Sequence, residues 1–207
     1  METLGREFFD RDTVAVARDL LGRYIVRRWE DGTELVCRIT ETEAYVGRVD
    51  KACHAYGYRR TPRTQTLFAP PGTAYVYLIY GMYHCLNFVT EPEGEPAAVL
   101  IRGAVPVENG DIIAENRFGR KLDQLTAQQR RNFLNGPGKL CRGLALTRAH
   151  NGLDLTDPAG LLTVRPGEPP RDSEILAGRR IGIDYAQEAA EFPWRFWVEG
   201  RTAGPAV

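Results

Sequence analysis

The 207-residue chain has little that would mark it for a membrane, an oxidising compartment or a fibrous assembly. No apolar run approaches the roughly 20 residues that a spanning helix needs. The first ten residues hold neither the apolar stretch nor the cleavage pattern of a signal peptide, so the cytoplasm is the expected location. Cysteine is scarce: Cys37, Cys53, Cys85 and Cys141 are widely spaced, with no Cys-x-x-Cys pair among them. That spacing sets aside a disulfide framework and a zinc site, and reduced, buried thiols are expected. Internal repeats and low-complexity stretches are also missing. Net charge is zero, with 27 basic and 27 acidic residues, which speaks mildly against a partner as acidic as DNA.

What is present is the composition of an ordinary soluble globular protein, 43% hydrophobic and 26% charged, at a length that suits one large domain. The charges are unevenly spread. Residues 117–142 hold seven basic side chains (Arg117, Arg120, Lys121, Arg130, Arg131, Lys139 and Arg142) against one acid, Asp123. Arg59, Arg60 and Arg63 form a second, smaller cluster. Either group could be a solvated face, and either could track a phosphate backbone. The pattern permits nucleic acid without requiring it.

Local patterns predict a short helix over 12–22, capped by Asp12 or Thr13 and stopped at Gly22. Strands at 24–29 and 34–45 flank Asp31 and Gly32, the pair that favours a hairpin. A second hairpin is expected from 73–80 and 83–89 around Gly81 and Met82, followed by a strand at 97–102. Helices are expected at 111–117, at 126–134, and from Pro137 to Leu146, where proline suits the first turn. Short strands at 180–184 and 195–198 complete the chain, and 166–170 reads as a loop. The simplest architecture is one mixed α+β domain.

The second strand carries the oddest feature. Without a bulge, Leu35, Cys37, Ile39, Glu41, Glu43 and Tyr45 share one face, so two carboxylates follow three apolar residues. Carboxylates drawn into a buried place need a partner or a task; alternatively, the strand emerges into solvent at Glu41. Further along come His54, the Arg59–Arg63 cluster, and then Tyr75, Tyr77, Tyr80 and Tyr83 with Asn87. Aromatic residues favour strands, but Tyr80 at an exposed hairpin tip is poorly explained by packing. Such a side chain is placed to wedge between base pairs. An activating carboxylate, aromatic walls and nearby cations together suit chemistry on a base flipped out of a duplex.

Five runs sharpen this reading: Glu41 to Tyr45 with Asp50 and His54; Tyr75 to Tyr83 with Asn87; Val99 to Arg102; Gly136 to Leu140; and Pro193 to Phe196. In this order, over about residues 5 to 200, the chain resembles the alkyladenine (3-methyladenine) DNA glycosylase family. The resemblance implies a single compact α+β domain with a curved antiparallel sheet and surrounding helices. It implies Glu43 as the base that activates water, with Arg102 and the carbonyl of Ile181 as further contacts of that water. Tyr45, His54 and Tyr77 would wall the base pocket, Asn87 would limit which purines enter, and Tyr80 would fill the gap left in the helix. Thr61, Arg63, Met82, Tyr83 and Lys139 would lie along the DNA backbone. Damaged double-stranded DNA is the implied partner of a monomer that has no membrane attachment, no metal and no cofactor. No lysine stands where an amine nucleophile would be needed, so hydrolysis without strand cleavage is expected. Glu41 is expected in a supporting role, and His84 and His150 in structural ones. The acidic loop of Glu91, Glu93 and Glu95 should lie away from phosphate. A non-catalytic damage binder or a tyrosine-rich RNA-binding domain would keep the aromatics without needing Glu43 or Arg102.

Overall fold

The computed structural model describes residues 2–198. Among the described residues five short α-helices, α1 (Arg6–Phe9), α2 (Thr13–Asp19), α3 (Gly110–Phe118), α4 (Ala127–Arg131) and α5 (Pro137–Gly143), surround one sheet. Its strands are β1 (Tyr24–Arg28), β2 (Glu34–Val46), β3 (Ala74–Ile79), β4 (Tyr83–Val89), β5 (Ala97–Glu108), β6 (Leu162–Arg165), β7 (Ile175–Gly178) and β8 (Arg195–Val198). The main path runs β3-β4-β5-β2-β1-β6, and β8 joins β2 to β7. Every pairing is antiparallel, and the sheet curls into a half-barrel, the α+β fold expected. No helix among the described residues is long and apolar enough to cross a membrane.

Local chemistry explains the elements that were expected. Asp12 caps α2, its side chain accepting the Ala15 N–H at 2.9 Å. The helix buries Val16 and Ala17, and Gly22 follows at a φ of 86°, where a Cβ would sit 2.2 Å from the Glu168 carbonyl oxygen. Only glycine can stand there.

The long strand β2 decides the architecture. Along one edge it pairs with β5 throughout; along the other it pairs with β1 over its first half and with β8 at Glu41, Thr42 and Glu43. Where its neighbour changes, the β2–β5 register slips twice, between Ile39 and Glu41 and again between Glu41 and Thr42. Bulges of this kind bend a strand and re-aim its side chains. Leu35, Cys37 and Ile39 enter the main core, but beyond the bulge Ala44 enters that core instead, and the Thr42 hydroxyl donates to the Ala17 carbonyl at 2.6 Å. The unbroken alternation expected for β2 is therefore corrected. Glu43 and Tyr45 lie on the face opposite to Leu35, Cys37 and Ile39. Gly103 occupies the matching place on β5, where a Cβ would press on Glu41 and Thr40 at 3.2 and 3.3 Å.

Several element bounds also differ from expectation. The strand β5 runs past Arg102 to Glu108, tolerating Pro106 because no strand pairs there on its far edge. Helix α4 stops at Arg131, since Phe133 and Leu134 turn into the core and Asn135 bridges to Gly103. Helix α5 ends at Gly143, ahead of Ala145 at a φ of 52°. Residues 180–184 form no strand: Gly182 takes a φ of 76°, Ile181 is half exposed, and the Arg180 side chain turns inward. The β3–β4 turn holds three residues, not two, with Ile79 opposite Tyr83 and Tyr80 itself in the left-handed region.

Candidate active site

Glu43 is fully buried, and its carboxylate is held from three sides. Oε2 accepts the Tyr45 hydroxyl at 2.7 Å, Oε1 accepts the Ile181 N–H at 2.8 Å, and Arg102 Nε stands 3.4 Å from Oε1. Arg102 is itself steadied by Glu41, whose Oε1 also accepts from Arg195 at 2.6 Å. Burial pushes the Glu43 carboxyl above its usual range, against the opposing pull of Arg102, the Tyr45 hydroxyl and the Ile181 N–H. Burial likewise opposes the charge of Arg102, yet Glu43 and Glu41 hold its guanidinium above its ordinary value. The alternative in which β2 emerges into solvent at Glu41 does not occur.

Tyr45, Arg102 and Ile181 form part of the wall of a cavity of about 560 Å³. That volume lies in the range of sites for small ligands. Glu43 does not line the cavity; it stands one contact behind those three residues. His54, Tyr75, Tyr77 and Asn87 also line it. The His54 and Tyr77 rings meet edge to face at 4.7 Å, and His54 Nδ1 is 3.2 Å from the Tyr75 hydroxyl. Burial, with Arg63 nearby, lowers the His54 pKa to about 4, and burial raises the Tyr75 pKa to about 12. These rings are therefore neutral at physiological pH. Asn87 donates to the Tyr75 carbonyl at 3.0 Å, which fixes how its amide presents to the cavity.

The rim differs in character. Tyr80 is 83% exposed at a φ of 53°, and Tyr185, which also lines the cavity, is 68% exposed. Tyr83, Arg117, Lys139 and Arg142 complete this side. None of the seven basic residues between Arg117 and Arg142 enters an ion pair among the described residues. The Lys139 ammonium is aimed by Asn132 and Asn135, whose side-chain oxygens accept from it at 3.0 and 2.9 Å. Burial, then Arg117, lowers its pKa. By contrast, the acidic loop is internally engaged: Glu91 accepts from Thr13 at 2.6 Å, and Glu95 from Tyr58 at 2.6 Å.

Thus Glu43, Tyr45, His54, Tyr77, Asn87, Arg102 and Ile181 come together, with Tyr80, Tyr83 and Lys139 at the rim. Thr61, Arg63 and Met82 lie off the cavity lining; Arg63 covers the Tyr77 ring at 5.1 Å, and the Thr61 hydroxyl is engaged with Thr64. Ile181 also touches Glu43 directly through its N–H, a contact that sequence reading did not anticipate. Sequence reading also missed Tyr185, Arg180 and the roles of Tyr75 and Cys85 on the wall. The alternating Tyr75 and Tyr77 were a usable signal; nothing local marked Arg180. The thiols of Cys37, Cys53, Cys85 and Cys141 are free and buried, and His150 is buried with its ring nitrogen accepting the Thr147 N–H. No group of three His, Cys, Asp or Glu residues able to hold a metal occurs among the described residues.

The family model described as methylpurine-DNA glycosylase matches residues 7–202. A Desulfitobacterium hafniense protein is 47% identical over 199 residues, covering 96% of each chain. A Clostridium perfringens protein is 45% identical over 196 residues and 95% of each chain. One from Clostridium acetobutylicum is 45% identical over 195 residues, covering 94% of this chain and 93% of its own. All three are provisionally named 3-methyladenine DNA glycosylase.

Proposed function

The chain belongs to the methylpurine-DNA glycosylase family, and from that premise we propose that it hydrolyses the bond between a damaged purine and its sugar in duplex DNA. The proposed substrates are 3-methyladenine, 7-methylguanine and hypoxanthine. The observation that carries the reading is the buried Glu43 carboxylate, gripped by Tyr45, Arg102 and the Ile181 N–H, directly behind the wall of an aromatic cavity.

In this mechanism Tyr80 enters the duplex and the lesion nucleotide swings into the cavity. Neutral Tyr45, His54 and Tyr77 then stack on the base. A base alkylated at N3 or N7 carries positive charge, which electron-rich rings favour and a protonated histidine would oppose. The low pKa of His54 supports this assignment. Glu43 accepts a proton from water as the oxygen attacks the sugar carbon, and the carbon–nitrogen electron pair leaves with the base. The products are a free base and an abasic sugar. A carboxylate whose pKa is raised toward neutrality is a better general base than an ordinary one. Hypoxanthine additionally needs protonation to depart. Arg117, Lys139 and Arg142 on the rim would meet backbone phosphates, a role supported by their having no acidic partner among the described residues.

The test uses duplex oligonucleotides carrying a methylated purine or hypoxanthine, incubated with the protein and then treated with alkali. Breaks at the lesion are expected; retention of the duplex without breaks would identify a binder instead. Borohydride trapping of a protein–DNA adduct would overturn the water-based chemistry.

A further inference from the structure

Arg180 and Asp50 form the one ion pair among the described residues whose side chains are both completely buried. Such a pair contributes little to stability, because removing two charges from water costs about as much as their attraction returns. Arg180 Nε moreover has no hydrogen-bond partner among the described residues. The connections of the pair are more informative than its energy.

One guanidinium ties together several segments that meet around Glu43. Its Nη1 donates to Asp50 Oδ2 at 2.5 Å and to the Ala44 carbonyl at 2.7 Å, on the main chain between Glu43 and Tyr45. Its Nη2 donates to Asp50 Oδ1 at 2.8 Å and to the Ala189 carbonyl at 3.0 Å. Asp50 also accepts the Ala52 N–H at 2.9 Å, at the turn that leads to Cys53 and His54. The same guanidinium backs the Tyr45 ring at 4.7 Å and the Trp194 ring at 5.3 Å. The next residue in the chain is Ile181, whose N–H holds Glu43.

We infer that Arg180, locked by Asp50, is a positioning residue for base excision: its planar grip on Asp50, Ala44 and Ala189 holds the Ile181 N–H against Glu43 and braces the Tyr45 wall from behind. The inference rests on Glu43 as the base. A lysine would keep the charge but not the two-pronged geometry. Around Glu43 stand Arg102 from β5, Cys85 from β4, Arg195 beside it on β8, Tyr45 and Glu41 on its own strand, and Arg180 itself. Loosening Arg180 leaves Arg102, Cys85, Arg195 and Glu41 in place while withdrawing the Ile181 N–H, a donor that favours ionised Glu43. The acid limb of the rate profile then moves to higher pH.

The test compares wild-type protein, Arg180→Lys, and the uncharged pair Arg180→Gln with Asp50→Asn, by thermal unfolding, lesion-duplex binding and single-turnover excision across pH. Folded variants should bind the duplex like wild type, excise about 100-fold more slowly, the scale of an ångström's misplacement, and show the limb shifted upward. A folded variant with wild-type rate and limb overturns the inference, as does a slower rate with an unmoved limb. Failure of both variants to fold assigns the pair to stability and overturns it equally. If wild-type protein releases no base, the proposed activity itself falls.

Discussion

The Tyr45 hydroxyl donates to Oε2 of Glu43 at 2.7 Å, across two positions of one strand face. Tyr45 is thereby both a wall of the cavity and a support for the charge behind it. Burial, then the adjoining Glu43, pushes the phenol well above its usual value, so it stays protonated and donates throughout the physiological range. Its ring and its hydroxyl can be tested apart.

Glu43→Gln should retain lesion-duplex binding and lose activity by about 100- to 10,000-fold, the range for a general base. The variant should also unfold at a higher temperature. A carboxyl whose folded pKa is raised stabilises the fold fully below its ordinary value of 4.5, and that contribution is lost as pH rises toward the folded value. The glutamine stays neutral, so its advantage in melting temperature should grow as pH climbs above about 4.5. Single-turnover excision and calorimetry at several pH values check both halves; near-normal turnover would remove Glu43 from the mechanism.

Tyr45→Phe keeps the aromatic wall and removes one donor from the carboxylate. The acid limb of single-turnover excision should move to higher pH while lesion binding changes little. In His54→Gln the limb should stay where it is, because burial already holds that imidazole neutral, with a pKa of about 4. A limb that vanishes with His54 would transfer the titration to that residue.

Tyr80→Gly should separate stability from function. The tyrosine sits at a φ of 53°, a region that an L-residue enters at a cost and glycine enters freely. Denaturant unfolding should show a fold as stable as wild type or more stable, by about 1 kcal/mol at most. Base flipping, read from 2-aminopurine fluorescence beside the lesion, should weaken. Undiminished flipping would count against the wedge.

Lys139→Met should weaken binding to damaged and undamaged duplex alike. On a plot of log affinity against log salt concentration, the slope should lose about 0.9 in magnitude, the value for one released counterion. The same measurement on Asp123→Asn, away from the cavity lining, serves as the control. An unchanged slope for Lys139→Met would place the DNA elsewhere.

Much of the fold was legible because its signals are local. Asp12 as a cap, Gly22 as a stop, the hairpin around Asp31 and Gly32, and the strand from Tyr83 to Val89 each depend on residues close in sequence. The site was legible in part. Glu43 drew notice through an alternation that the bulge at Ile39–Thr42 in fact breaks. Residues 180–184 alternate like a strand, and the observed loop follows from Gly182 and from a buried guanidinium whose partner, Asp50, lies 130 residues away.

The order of residues by itself determined the caps, the hairpins and the crowding of cations between Arg117 and Arg142, since periodicity, turn preference and charge belong to short stretches of chain. Only the tertiary structure decided which face of β2 carries Glu43, that the carboxylate is buried, and that Ile181 meets it with an N–H. Those outcomes depend on where β5 and β8 pair with β2 and on which groups lose water together, and neither is a property of any one segment.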